Sequence, residues 1–133
     1  AVLLIGDEAL HCNKYGLAGF ELVFDLAKEW YDWKKLPFVF AVWVARREVD
    51  VRQALAVHGA LIESRNWGLG NLDRLASESA VACQLPATVI REYLAGLDYG
   101  LGLEYLEGLS EFFRRLEHAG KVPQGRLVFL PAA

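Results

Sequence analysis

The sequence contains no methionine and only two cysteines, Cys12 and Cys83. Two cysteines so far apart do not make the disulfide framework of a small secreted domain, which favours a reducing compartment. The opening residues lack the charged segment and small-residue cleavage site of a signal peptide. Because a complete gene product begins with methionine, we expect this chain to be part of a longer protein.

Long hydrophobic runs and an excess of basic charge are also absent. The longest apolar run, residues 36–45, is about half the length of a membrane-spanning helix. The net charge is −3, with 54% hydrophobic residues among 133, which argues against disorder and gives no electrostatic footprint for nucleic acid. We expect one folded domain with neither a membrane nor a nucleic acid as partner.

The first third of the chain alternates predicted strands and helices. Residues 1–5 and 38–44 are apolar at every position, a pattern typical of strands buried on both faces, and residues 21–24 predict a shorter strand. Asp7, Asp25 and Asp50 stand where they would cap the helices that follow.

From residue 49 onward the pattern is helical. Apolar residues recur every three or four positions, with an interruption predicted at residues 66–70. The fold class predicted is therefore α/β, divided into residues 1–48 as the α/β part of a ligand-binding lobe and residues 49–133 as a helical C-terminal part, without a linker.

The turn between the first strand and first helix, at Gly6 and Asp7, is the best candidate site that residue chemistry indicates. Ligands of open α/β sheets bind where strands end and helix N-termini point their N–H groups. Glycine would let a ligand approach the backbone. The alternative is that Asp7 caps the helix and Gly6 only makes the turn. Both roles can coexist.

Other combinations of reactive residues have poorer geometry. His11 and Cys12 are neighbours, so on a helix they point about 100° apart, and Cys83 is most simply a small core residue. The cysteines and histidines lack paired metal-ligand spacing, and the glycines do not follow strands as in a nucleotide-binding loop. We predict neither a metal nor a cofactor.

Several stretches resemble the chorismate dehydratase family of the futalosine route to menaquinone. They are LLIGDEAL near the start, DLAKEWYDWKKLPFVFAVWVARR, LPATVIREYLAGLDYGLGLE and GLSEFFRRL. The resemblance implies that this chain is the C-terminal half of a two-lobed fold of the type II periplasmic-binding-protein kind, with a helical C-terminal extension. It also implies a cytoplasmic lyase without metal or nucleotide.

The reaction that the resemblance implies is the dehydration of chorismate to 3-[(1-carboxyvinyl)oxy]benzoate. The partner would be the N-terminal lobe of the same protein, and we expect this chain alone to be inactive. The helix N-terminus after Gly6 would donate to a carboxylate of the substrate or to the leaving oxygen, and Asp7 would accept from a ring hydroxyl. Phe40 and Trp43 would be walls of the pocket. No residue is assigned as the catalytic base.

Two alternatives stay open at the level of the sequence. One is a non-catalytic binding protein for an aromatic or enolpyruvyl carboxylate, with the same architecture. The other is the related dihydroxynaphthoate synthase of the same pathway, whose motifs resemble these less closely.

Overall fold

The computed structural model describes residues 1–125 and 127–130. Within these residues it contains six α-helices and no β-strand. Leu17 and Phe20 form one isolated antiparallel bridge. The helices in chain order are α1 (Gly6–Tyr15), α2 (Leu26–Lys34), α3 (Val51–Gly70), α4 (Leu72–Cys83), α5 (Ala87–Gly96) and α6 (Leu103–His118).

The predicted α/β class is wrong for the described residues, and so is the two-lobed fold of the periplasmic-binding-protein kind. Residues 1–5, 21–24 and 38–44 are outside the helices, yet none of them belongs to a sheet among the described residues. A strand is held by hydrogen bonds to a neighbouring strand, and an apolar pattern alone does not provide that neighbour.

Two of the three predicted helix caps, Asp25 and Asp50, agree with the capping geometry. The Asp25 carboxylate accepts from the backbone N–H groups of Ala27 and Lys28, at 2.9 and 3.1 Å, and begins α2. Asp50 does the same for the first turn of α3, at 3.0 and 3.2 Å. Each carboxylate satisfies donors that a helix start otherwise leaves unpaired, so these two predictions are confirmed.

The prediction that the helix is interrupted at residues 66–70 is wrong, because the break comes one residue after this stretch. Helix α3 continues through this stretch to Gly70 and the break falls at Asn71. The Asn71 side chain donates to the Trp67 carbonyl at 2.7 Å, satisfying one of the last carbonyls of the helix.

The chain divides into two compact units. The first unit comprises Ala1–Val23 and Ser64–Asp98. Its core is formed by Ala76, Leu85 and Ile90, where α4 packs against α5. Leu10 of α1 packs against the same residues, so this small core holds α1 beside the end of α4.

The second unit comprises Phe24–Glu63 and the described residues from Tyr99 onward. Its centre is the buried Trp30 of α2, whose ring meets Phe38 and Phe112 edge-on at centroid distances of 5.9 and 5.8 Å. Edge-to-face aromatic contacts of this kind add stabilisation beyond the burial of apolar area.

Within the second unit, α6 closely approaches the backbone of Pro37 at its residue Gly108. A Cβ atom built at Gly108 would lie 2.1 Å from the Pro37 carbonyl oxygen. No side chain fits at that distance, so the absence of a Cβ atom lets the helix lie against this segment.

Candidate functional site

The first unit contains an open pocket with a volume of about 390 Å³. One side is α1 and its flanking residues, and the other is the end of α4. The lining residues are Leu4, Asp7, Glu8, His11, Cys12, Gly16, Leu17, Cys83 and Gln84.

The spacing of residues on α1 explains which side chains reach this pocket. Asp7 and His11 are four residues apart, as are Glu8 and Cys12, so each pair shares a helix face. The imidazole of His11 also contacts the Tyr15 ring one turn later, at a centroid distance of 4.6 Å. One side of α1 therefore presents two carboxylates, an imidazole and a thiol to the pocket.

Gly6 and Asp7 stand at the start of α1, where the sequence predicted a ligand-binding turn. Gly6 has a φ of +63°, a left-handed conformation that favours glycine. The N-cap residue is Ile5, which makes no side-chain capping hydrogen bond. The alternative that Asp7 caps the helix is therefore wrong, because its carboxylate lies inside the first turn and lines the pocket.

Cys83 lines the same pocket as Asp7. Cys83 ends α4 and packs against the core of the first unit. Burial raises the pKa of this thiol, and the negative charge of Asp7 raises that pKa further. A thiol whose pKa is raised is a poor nucleophile, because the thiolate is the reactive form.

Phe40 and Trp43 belong to the second unit, whereas the pocket is lined by residues of the first. The Phe40 ring contacts Phe38 at a centroid distance of 5.1 Å. Phe40 and Trp43 are 77% and 84% exposed, so the expectation that they lie on a strand buried on both faces is wrong. Both rings are open to contact.

The pocket includes residues that sequence reasoning did not select. Glu8 follows Asp7 directly but was not proposed as a site residue. Cys83 was interpreted as a core residue, which its packing confirms, but its place in the same pocket as Asp7 was not foreseen. Nothing local in the sequence signals a contact between residues so distant along the chain.

A second electrostatic cluster connects α2 and α6 in the second unit. Glu111 accepts two hydrogen bonds from Arg114, at 2.7 and 3.0 Å, and one from Arg115 at 2.7 Å. These bonds, those of Arg114 first, lower the pKa of Glu111 to about 2. Lys34 and Arg115 also lie over the Trp33 ring, 3.8 and 4.2 Å from its centroid.

Two kinds of feature are absent from the residues that the structure describes. No group of three or more His, Cys, Asp or Glu side chains is arranged to hold a metal ion. Within residues 1–125 and 127–130, no helix combines the length and apolar character needed to cross a membrane.

Comparison with known proteins decides the family. The family model described as menaquinone biosynthesis matches residues 1–118, which include every residue that lines the pocket. The chain belongs to the menaquinone biosynthesis family. It is 34% identical over 128 residues to the chorismate dehydratase of Thermus thermophilus. That alignment covers 86% of this chain and 46% of the relative, so the chain spans about half the relative's length. No solved structure matches the chain significantly.

Proposed function

We propose that the full-length protein is a chorismate dehydratase, a lyase that converts chorismate to 3-[(1-carboxyvinyl)oxy]benzoate and water in menaquinone biosynthesis. The observation that carries this proposal is the 34% identity to a chorismate dehydratase across 86% of the chain. The pocket supports it, because its volume of about 390 Å³ lies in the range of small-molecule sites, roughly 300–1,000 Å³.

The acidic side chains of the pocket suit recognition of the ring hydroxyl group of the substrate. The elimination breaks a ring C–H bond and a ring C–O bond, and the C–H electron pair forms the double bond that completes the aromatic ring. The hydroxyl group leaves with a proton as water. In our proposal, Asp7 accepts a hydrogen bond from a ring hydroxyl and so orients the ring, while the base stays unassigned.

The carboxylates of chorismate need donors, and Asp7 and Glu8 are acidic. The backbone N–H groups after Gly6, in the first turn of α1, can supply some of these donors. We propose that the part of the protein outside this chain supplies the others, so that the chain alone is inactive. The chain's coverage of only 46% of the Thermus relative supports this division of the site.

Three further expectations stay as proposals. Phe40 and Trp43 would contact the planar ring of the substrate, a role consistent with the exposure of both rings. We also propose that residues 1–48 form the ligand-binding part of the chain and that residues 49–133 form a separate C-terminal part. A cytoplasmic location is supported by two free cysteines, Cys12 and Cys83.

Incubation of the full-length protein with chorismate tests the proposal. We expect an aromatic ultraviolet absorbance to appear and a product lighter than chorismate by one water to be found by mass spectrometry. A non-catalytic binding protein would retain chorismate unchanged in a binding experiment, and that outcome would contradict the proposal.

A further inference from the structure

The electrostatic cluster around Glu111 carries an excess of positive charge. It lies in the second unit and comprises Lys34 from α2 and Glu111, Arg114 and Arg115 from α6. Among the described residues, Glu111 is the one carboxylate that pairs with these cations. The neighbouring Asp32 pairs with two other lysines. Three positive charges against one negative charge leave an excess of two.

Lys34 carries an ammonium group that is close to charges but makes no hydrogen bond to a described residue. Only 17% of its side chain is exposed, and its Nζ lies 3.9 Å from Glu111 Oε1, which is too far for a hydrogen bond. Its other contact is the face of the Trp33 ring, 3.8 Å from the centroid. A largely buried ammonium with three N–H donors is stabilised by an acceptor oxygen.

Arg115 brings a second cation to the same place. Its Nε donates to the same oxygen of Glu111 at 2.7 Å, and its guanidinium lies over the same Trp33 ring, 4.2 Å from the centroid. Its two terminal nitrogens have no partner in the part of the chain that the structure describes, and 33% of the side chain is exposed. The two cations therefore converge, and converging like charges attract an anion.

The donors of these two side chains suit the oxygen atoms of a carboxylate or a phosphate group. A guanidinium presents its N–H groups in a planar fork that matches such anions, and an ammonium adds a point charge. The Trp33 ring beside them is 62% exposed, so an aromatic ring attached to the anion could contact it.

A comparable group in the first unit lacks the excess of charge. Arg74 donates to Glu78 at 2.8 Å, and its guanidinium lies over the Trp67 ring, 5.8 Å from the centroid. One cation faces one carboxylate there. The kinds of contact are the same in both places, and the unbalanced charge distinguishes the Glu111 cluster.

We propose that Lys34 and Arg115 form a binding site for a small oxyanion that carries a carboxylate or a phosphate group. The site goes beyond the proposed function, because anion binding is measured without turnover of chorismate. Either proposal can therefore fail without the other.

The first test is isothermal titration calorimetry of the full-length protein with inorganic phosphate and, separately, with benzoate. The ionic strength is held constant, because salt screens exposed charges. We expect Lys34→Gln and Arg115→Gln each to weaken binding about tenfold, the lower limit for a hydrogen bond to a charged group. The matched control is Arg74→Gln, which should leave the affinity within about twofold of the unmodified protein.

The two probes distinguish the sources of the anion. Tighter binding of benzoate would support the site and indicate an aromatic carboxylate, and tighter binding of phosphate would support it and indicate a phosphorylated compound. Absence of binding by both probes would overturn the proposal. Affinities that are the same in the unmodified protein, Lys34→Gln and Arg115→Gln would also overturn it.

The second test locates the anion in the unmodified full-length protein, so it does not require that the variants fold. Lysines are acetylated with acetic anhydride, with and without a saturating concentration of the tighter-binding probe, and the products are quantified by mass spectrometry. We expect the anion to slow acetylation of Lys34 several-fold. Lys28, which pairs with Asp32 on the same helix, is the internal control and should not change. Equal acetylation of Lys34 with and without the anion would overturn the proposal.

Discussion

At the scale of single residues, Asp7 is the side chain on which the proposed chemistry depends most. Asp7 lines the pocket and lies inside the first turn of α1, whose N-cap residue is Ile5. Removal of this carboxylate should therefore affect the substrate more than the stability of the helix.

We predict that Asp7→Ala in the full-length protein lowers kcat/KM for chorismate about 10- to 100-fold, since a hydrogen bond to a charged group contributes about 1.5–3 kcal/mol. Steady-state kinetics and thermal unfolding measure the two effects. The matched control is Asp25→Ala, which removes an aspartate that does cap its helix and should cost about 1 kcal/mol of stability. Unchanged kinetics in Asp7→Ala would contradict the assignment.

Glu111 gives a prediction about pH at the same scale. Its pKa is about 2 in the folded protein against 4.5 for an unperturbed glutamate. Because the folded-state pKa is the lower one, the stabilisation is complete above about pH 4.5 and is lost as the pH falls toward 2. We predict that Glu111→Gln lowers the melting temperature at pH 7 and that this difference shrinks at low pH.

Melting curves at several pH values measure this effect. The control is Glu78→Gln. Glu78 pairs with Arg74 in an exposed position, where ion pairs contribute little to stability, so this variant should change the melting temperature little at any pH. If Glu111→Gln lowered the melting temperature by the same amount at pH 7 and below pH 3, the prediction would be contradicted.

At the scale of elements, α6 depends on close approach at Gly108. We predict that Gly108→Ala destabilises the protein by about 1–3 kcal/mol, because the added methyl group collides with the Pro37 carbonyl. The control is Gly59→Ala inside α3, where nothing lies within 4 Å of an added Cβ. Alanine should stabilise that helix by up to about 1 kcal/mol.

Denaturant unfolding of both variants in the full-length protein gives this comparison. Opposite shifts of the midpoint, with unchanged slopes, are the expected result. Stabilisation by both substitutions would mean that Gly108 has room for a side chain.

Helix caps could be predicted from the sequence more reliably than strands could. Asp25 and Asp50 were correctly predicted as caps, because a cap is decided within three or four residues. Residues 38–44 were wrongly predicted as a buried strand, because a strand needs a partner that the segment itself does not specify. The same limit applies to the pocket: Asp7 was proposed from its turn, whereas Cys83 lines the pocket with it because α1 and the end of α4 pack against one core.

At the scale of the whole molecule, the chain belongs to the menaquinone biosynthesis family. It spans about half the length of its Thermus relative. Carboxylates and an imidazole line the described pocket, whereas the proposed substrate carries two carboxylates that need donors. We predict that the 133-residue chain alone does not convert chorismate. Turnover by the isolated chain, with product confirmed by mass, would contradict the proposed division of the site.

The most direct measurement of the central claim is product formation from chorismate by the full-length protein and by its Asp7→Ala variant at equal concentration. Mass spectrometry identifies the product, and absorbance gives the rate. The account predicts 3-[(1-carboxyvinyl)oxy]benzoate from the full-length protein at a rate that falls about 10- to 100-fold in the variant. Chorismate recovered unchanged from the full-length protein would contradict it.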